Sequence, residues 1–220
     1  MFRVVTVGRE YASGGAAIAK KVAEALGWRL WDRRLIEAVA RQAQVDPHTA
    51  LKYDESVDSW WYRINRGGIW SLAVAGGISP ADARLFDCET VAALAQDVIL
   101  KAASKGNCVI VGRGGECVLR DFPGVLHVFI RGSWPGRVAR VRERLGEHCH
   151  PAELIRSADR TRAAYIRRYF GRDWKDPHLY HLMISSQLGI EEAASMIIGA
   201  VRGSERVAGP YVETETRLAG

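Results

Sequence analysis

The start of the chain constrains the fold most, because three different patterns follow one another there without a gap. Residues 2–7 (FRVVTV) are apolar and β-branched, which predicts a buried strand. Residues 8–15 form a polar loop with three glycines, and residues 15–26 carry apolar side chains at i, i+4 and i+8 on one helical stripe. Gly27 follows, as glycine often does at a helix end. The order strand, glycine turn, helix predicts the first unit of a layered α/β fold.

The same alternation continues along the chain. Short apolar runs predict four more strands, at 28–31, 108–111, 125–130 and 182–185. Helical patterns and capping residues predict further helices, at 33–43, from Asp46-Pro47 onward, at 82–104, at 134–145 with Ser133 as its cap, at 151–170 and at 190–202. Uninterrupted apolar strands suit a parallel sheet that is covered on both faces. The prediction is an α/β fold with a five-stranded, mostly parallel sheet.

Two glycine-containing turns follow predicted strands and therefore lie at the carboxyl edge of the sheet, where ligands of such folds bind. They are residues 8–15 and residues 112–115 (Gly-Arg-Gly-Gly). The amides of Ser13, Gly14 and Gly15 open a helix, lack helical partners and sit at the positive end of the helix dipole. The first turn therefore predicts an anion site.

This turn departs from the phosphate-binding pattern G-x-x-x-x-G-K-[ST]. With Gly14 as the second glycine, Gly15 stands at the lysine and Ala16 at the Ser/Thr. A plain glycine turn is the alternative interpretation. Three cations could replace the lysine, namely Arg9, Lys20 and Lys21.

Arginine dominates the cations, and the stretch 131–172 holds eleven arginines and no lysine. Arginine suits bidentate binding of phosphate. The stretch predicts either a solvated helical face or a surface that meets a polyanion, as nucleotide phosphates or nucleic acid.

Composition narrows the class of protein. The chain has 220 residues and a net charge of +6. No apolar run reaches the roughly 18 residues of a membrane span, and the N-terminus reaches a charge after two residues, so neither a membrane segment nor a secretory signal is expected. Four cysteines without a C-x-x-C pair predict free thiols in a cytoplasmic protein.

Four segments in order resemble the cytidylate kinase-like family, a divergent branch of P-loop nucleoside monophosphate kinases. They are VTVGREYASGGAAIAKKVAEALG at the start, WDRRLI at 31–36, NCVIVGRGGECVL at 107–119 and DRTRAAYIRRYFGRDWKDPHLYHLMISSQLGIEEA at 159–193. The resemblance covers most of residues 3–202. It implies a P-loop NTPase-like three-layer fold at 1–203 with a helical insertion at about 46–88, an Arg-rich lid at about 150–178 and a polar tail at 204–220.

The resemblance also implies roles for individual residues. Ser13, Gly14 and Gly15, helped by Arg9 and Lys20, would bind the phosphates of ATP. Arg113 matches the arginine of the Gly-Arg-Asp motif that holds the monophosphate in cytidylate kinases, whereas Gly114 stands where those enzymes have the aspartate. The lid arginines would close over the triphosphate, with Arg160, Arg167 and Arg168 in catalytic roles and with Arg162 and Arg172 as binding residues.

The acceptor nucleotide would meet Asp32, Arg33 and Arg34 as well as Arg113. Mg2+ would be held mainly by phosphates and water. The candidate protein ligands are Asp32 and Asp159, but Asp32 also suits a helix cap and Asp159 a salt bridge. Arg113 has a structural alternative, pairing with Glu116 or Asp121. The implied activity is transfer of the ATP γ-phosphoryl group to CMP, dCMP or a related nucleotide by a monomer or homodimer.

The same residues are compatible with two rival functions. The first is a nucleotide-binding sensor or regulator that retains the fold without turnover, as the missing lysine and aspartate suggest. The second and weaker rival is a nucleic-acid binder that uses residues 131–172. That stretch lacks closely interleaved aromatic residues, and the resemblance already accounts for its arginines.

Overall fold

The computed structural model describes residues 1–32, 38 and 88–207, except for the side chains of 88–91 and 205–207. The helices predicted between 33 and 81, the insertion at about 46–88 and the tail beyond 207 therefore lie outside the described residues. The same holds for Arg33 and Arg34.

Five strands within the described residues form a single parallel sheet, as the sequence predicts. They are β1 (Val4–Arg9), β2 (Arg29–Trp31), β3 (Cys108–Val111), β4 (Val125–Arg131) and β5 (Leu182–Ser185). Their order across the sheet is β2-β3-β1-β4-β5. The first strand thus lies in the centre, with β3 on one side and β4 on the other.

Six α-helices connect or flank these strands in the described part of the chain. They are α1 (Gly15–Leu26), α2 (Cys88–Lys105), α3 (Gly115–Val118), α4 (Trp134–Leu145), α5 (Pro151–Phe170) and α6 (Ile190–Val207). The Ser133 hydroxyl accepts a hydrogen bond from the Gly136 amide and caps α4, as predicted. The last helix continues five residues beyond the predicted end at 202.

Two apolar layers cover the two faces of the sheet. Alternate residues of β3 point to opposite faces, with Cys108 and Ile110 in one core and Val109 and Val111 in the other. The first core contains residues of α2, α5 and Trp174, and the second contains residues of α1 and α6. This arrangement is the predicted three-layer α/β fold, and it presents the carboxyl ends of β1, β3 and β4 together at one edge.

No helix among the described residues has the length and apolar character needed to cross a bilayer. The cysteines whose side chains are described, Cys108, Cys117 and Cys149, are free thiols, as predicted.

His127 of β4 is a buried ionisable group within the sheet, and it should make stability depend on pH. Its Nδ1 lies 2.7 Å from Thr6 Oγ1, and its ring stacks on that of His181 with centroids 5.2 Å apart. Burial, followed by the neighbouring His181, lowers the pKa of His127 from 6.5 to about 4. The unfolded chain therefore binds a proton at a higher pH than the folded chain does.

We expect the free energy of unfolding to fall by about 2 kcal/mol through His127 alone as the pH drops from 7 to 5. Urea unfolding at a series of pH values measures this slope. His127→Asn should be less stable at pH 7 but should lose that part of the slope. An unchanged slope in the variant would contradict the assignment.

Candidate functional site

The loop between β1 and α1 presents an uncapped helix start to a cavity. Gly14 is the N-cap of α1 with φ 86°, in the left-handed region that favours glycine, and this N-cap residue has no side chain with which to cap the helix. The buried Ser13 hydroxyl accepts a long 3.3 Å hydrogen bond from the Gly15 amide. The cavity has a volume of about 570 Å3 and is lined by this whole loop. The geometry suits an anion at the helix start.

Arg9, the last residue of β1, lies across the carboxyl end of the sheet. Its Nη2 is 3.9 Å from Asp32 Oδ1, and the side chain is 12% exposed. A Cβ added to Gly15 would lie 2.6 Å from Arg9 Cβ, and one added to Gly112 would lie 2.0 Å from Arg9 Nη1. Because neither glycine has a side chain, Arg9 has the room it needs to reach the cavity.

Arg140 of α4 brings a guanidinium over the glycine turn. Its Cζ lies 3.8 Å from the position of a Cβ on Gly14, and its Nη1 donates a 3.4 Å hydrogen bond to the Ala12 carbonyl. Arg140 has no carboxylate within 4.0 Å in the described part of the chain. The cation over the start of α1 is thus contributed by α4, which is distant in sequence. The glycine turn itself contains no lysine.

Tyr11 lies between two further arginines of the cavity. It is 3% exposed, and the Arg144 and Arg162 guanidinium carbons lie 5.2 and 5.7 Å from its ring centroid. Arg144 also donates a hydrogen bond to the Tyr11 hydroxyl, and Arg162 Nη1 donates to the Arg9 carbonyl at 2.9 Å. The tyrosine therefore orders both guanidinium groups.

A buried ion-pair network ties the loop to α4 and α5. Arg137 is 4% exposed, and its Nε donates to the Tyr11 carbonyl at 2.7 Å. It also pairs with Asp159, which accepts the Tyr11 amide at 2.8 Å, and its Nη1 lies 3.5 Å from Glu10. Burial alone would raise the pKa of Glu10, but hydrogen bonds from Lys175 and the Gly132 amide, together with Arg137, hold that pKa below its ordinary value.

Arg113 occupies the second glycine turn, after β3, with φ 59°. It lines the same cavity as the first loop. The next residue, Gly114, has φ 70°, and a Cβ there would lie 2.5 Å from the Phe170 ring. An aspartate at 114 would therefore require Phe170 to move.

The structure divides the site residues predicted from the sequence into two groups. Lining the cavity are Arg9, Ser13, Gly14, Gly15, Asp32, Arg113 and Arg162. Outside its lining are Lys20, Arg160, Arg167, Arg168 and Arg172, all of them exposed. Lys20 instead lies 3.7 Å from Glu24 on its own helix. Asp159 is engaged by Arg137 and the Tyr11 amide.

Sequence reasoning missed the cavity residues Arg140 and Arg144 of α4. Their spacing from Arg137, three and seven residues, places all three on one helical face. That periodicity within the Arg-rich stretch was the available signal.

The described residues contain no group of three or more His, Cys, Asp or Glu side chains that could hold a metal ion. Three carboxylates line the cavity, those of Glu10, Asp32 and Glu143. Glu10 is bonded to Lys175 and to the Gly132 amide, and Asp32 lies 3.9 Å from Arg9, so two of the three are already engaged.

Comparison with solved structures places this arrangement in the P-loop kinase fold. An uncharacterized protein from Eubacterium ventriosum superposes with a TM-score of 0.64 at 23% identity, covering 92% of this chain and 99% of its own. The shikimate kinase of Acinetobacter baumannii, solved with shikimate, gives 0.53 at 12% identity, covering 93% and 96%. A gluconokinase from Sinorhizobium meliloti gives 0.51 at 16% identity, covering 93% and 94%.

The family follows from the sequence itself. Residues 4–188 match the model of the cytidylate kinase-like family, which is most of the chain. No curated protein matches. The protein belongs to the cytidylate kinase-like family and is a kinase-like member of the P-loop fold.

Proposed function

We propose that this protein transfers the γ-phosphoryl group of ATP to CMP, dCMP or a related nucleoside monophosphate in the cytoplasm. The observation that carries the proposal is the uncapped start of α1, which faces a cavity that also holds the guanidinium groups of Arg9, Arg113, Arg140 and Arg162. Phosphoryl transfer needs in-line placement and neutralisation of charge more than covalent help. Amides and guanidinium groups supply both.

The residues divide by position. The amides of the 13–15 turn and Arg140 bind the donor phosphates, since they lie together at the helix start. Arg113, on the neighbouring strand end, binds the acceptor phosphate. Arg162 and Arg144, which Tyr11 orders, bind the phosphoryl group that is transferred between the donor and the acceptor. Mg2+ bound to the phosphates would supply further charge neutralisation, and phosphates and water would be its main ligands.

A coupled assay with ATP, Mg2+ and each of CMP, dCMP, UMP and AMP tests the proposal, with Arg113→Ala as the diagnostic variant. We expect kcat/KM for the preferred acceptor to fall about 10- to 100-fold in the variant, because a charge-assisted bidentate contact is lost. The KM for ATP should stay near its wild-type value. Wild-type turnover that survives Arg113→Ala unchanged would place the acceptor elsewhere.

A nucleotide-binding regulator without turnover is the second candidate. It is favoured by Gly15 at the position of the P-loop lysine and by the contact of Gly114 with Phe170, which leaves no room for an acidic side chain. Calorimetric binding of ATP without product in the coupled assay would favour this candidate over the kinase.

A further inference from the structure

A second, much smaller cavity lies at the carboxyl ends of β1 and β3. We call it the Glu116 recess. Its volume of about 30 Å3 matches a single water-sized group. Three of its lining residues, Arg9, Arg113 and Arg162, also line the large cavity. Any group in the recess therefore lies beside the arginines of the phosphate site.

Glu116 gives the recess its chemistry. The residue is 2% exposed, and its Oε2 has no hydrogen-bond partner in the described part of the chain. Its Oε1 is 3.4 Å from the Tyr180 hydroxyl. That hydroxyl has one proton, which it donates to the Trp174 carbonyl at 2.8 Å. The Tyr180 oxygen can then accept a hydrogen bond from a protonated Oε1.

Burial raises the pKa of Glu116 and favours this neutral form, although the residue's own backbone amide and Arg9 oppose the shift in part. A neutral carboxyl that donates through Oε1 presents Oε2 as an acceptor only. A buried acceptor without a donor is costly, so the recess is complementary to a small neutral donor. A phosphate group does not fit its volume.

We propose that the Glu116 recess is a specificity subsite that takes one hydrogen-bond-donating group of the acceptor nucleotide, a hydroxyl or an amino group, with Glu116 Oε2 as the acceptor. This inference rests on the proposed function. It gives a role to a buried side chain that the transfer of the phosphoryl group does not itself use. The role is to distinguish acceptors that differ by a single donor.

Two pairs of acceptors separate the possible donors. CMP and dCMP differ by the 2′ hydroxyl, and CMP and UMP differ by the exocyclic amino group. The ratio of kcat/KM within each pair is measured for the wild type, Glu116→Leu and Glu116→Gln. Glu147→Gln is the matched control, because that carboxylate is exposed and lies outside both cavities.

We expect one of the two ratios to be about 10 or more in the wild type and in Glu147→Gln, and to approach 1 in Glu116→Leu. The pair that loses its discrimination identifies the donor. Glu116→Gln is isosteric with the neutral acid and keeps an acceptor oxygen, so its ratios should stay near those of the wild type. A glutamine variant that loses the discrimination would contradict the role of a neutral acceptor, and this test holds even if the leucine variant does not fold. The KM for ATP should not change in any of these variants.

Ratios near 1 for both pairs in the wild type, or wild-type ratios that persist in Glu116→Leu, would overturn the subsite and leave the kinase intact. Absence of transfer to every monophosphate by the wild type would instead refute the proposed function, and the subsite with it. The two failures are therefore distinguishable.

Discussion

Replacing Arg137 with leucine is expected to lower the free energy of unfolding by about 3–5 kcal/mol, the range found when one partner of a buried ion pair is removed. The substitution would leave Glu10 and Asp159 without their shared cation. It would also remove the donor to the Tyr11 carbonyl. Lys175 would still reach Glu10, but within the described ranges Asp159 would retain only the Tyr11 amide.

Urea unfolding followed by circular dichroism measures the loss. Arg142→Leu is the control, since that side chain is half exposed on the same helix and lies 3.9 Å from an exposed glutamate. Its effect should stay within about 0.5 kcal/mol, as is usual for surface positions. Arg137→Lys should fall between the two, because an ammonium cannot satisfy three acceptors with the geometry of a guanidinium. A leucine variant as stable as the control would show that the network contributes no net stability.

The network also explains why the loop after β1 keeps its shape. Both the amide and the carbonyl of Tyr11 are bonded to side chains of other helices, Asp159 of α5 and Arg137 of α4. The loop, α4 and α5 are thereby joined at one residue. We infer that Arg137 positions the cavity arginines of α4 and α5 relative to the glycine turn.

Much of the fold could be predicted from the sequence because its signals are local. The predicted bounds of α1 agree with the structure, since its apolar stripe spans the helix and Gly27 ends it with φ 65°. Ser133 likewise fixes the start of α4 through a hydrogen bond three residues away. The parallel sheet followed from uninterrupted apolar strands.

The candidate site was less predictable, because it depends on which face of α5 turns inward. The resemblance indicated the arginines of the lid, and their spacing of seven or eight residues favoured Arg160, Arg167 and Arg168. The buried stripe of α5 instead contains Ile155 and Ile166, with Asp159 and Arg162 between them at helical spacing. Arg162 thus shares the inward face, whereas Arg160 lies about 200° around the helix. Apolar periodicity identifies this face better than the distribution of arginines does.

Arg140 is expected to contribute most to the binding of phosphate. Arg137 is satisfied by two acids and Arg144 is bonded to Tyr11. Among the residues that the structure describes, Arg140 has only the long 3.4 Å contact with the Ala12 carbonyl, beside the start of α1. Among the three arginines of this α4 face, Arg140 is therefore the one whose guanidinium forms neither an ion pair nor a hydrogen bond to another side chain in the described part of the chain.

Arg140→Gln should weaken binding of ATP about 10- to 100-fold, the effect of losing a charge-assisted hydrogen bond to phosphate. Titration calorimetry with ATP and with pyrophosphate measures it, and pyrophosphate isolates the phosphate contribution from that of the nucleoside. Arg142→Gln, on the exposed side of the same helix, should bind as the wild type does. Arg140→Lys should recover part of the affinity, because it restores the charge without the bidentate geometry. Equal affinity of wild type and Arg140→Gln would show that the amides and the other arginines hold the phosphates alone, and that the missing lysine has no replacement on α4.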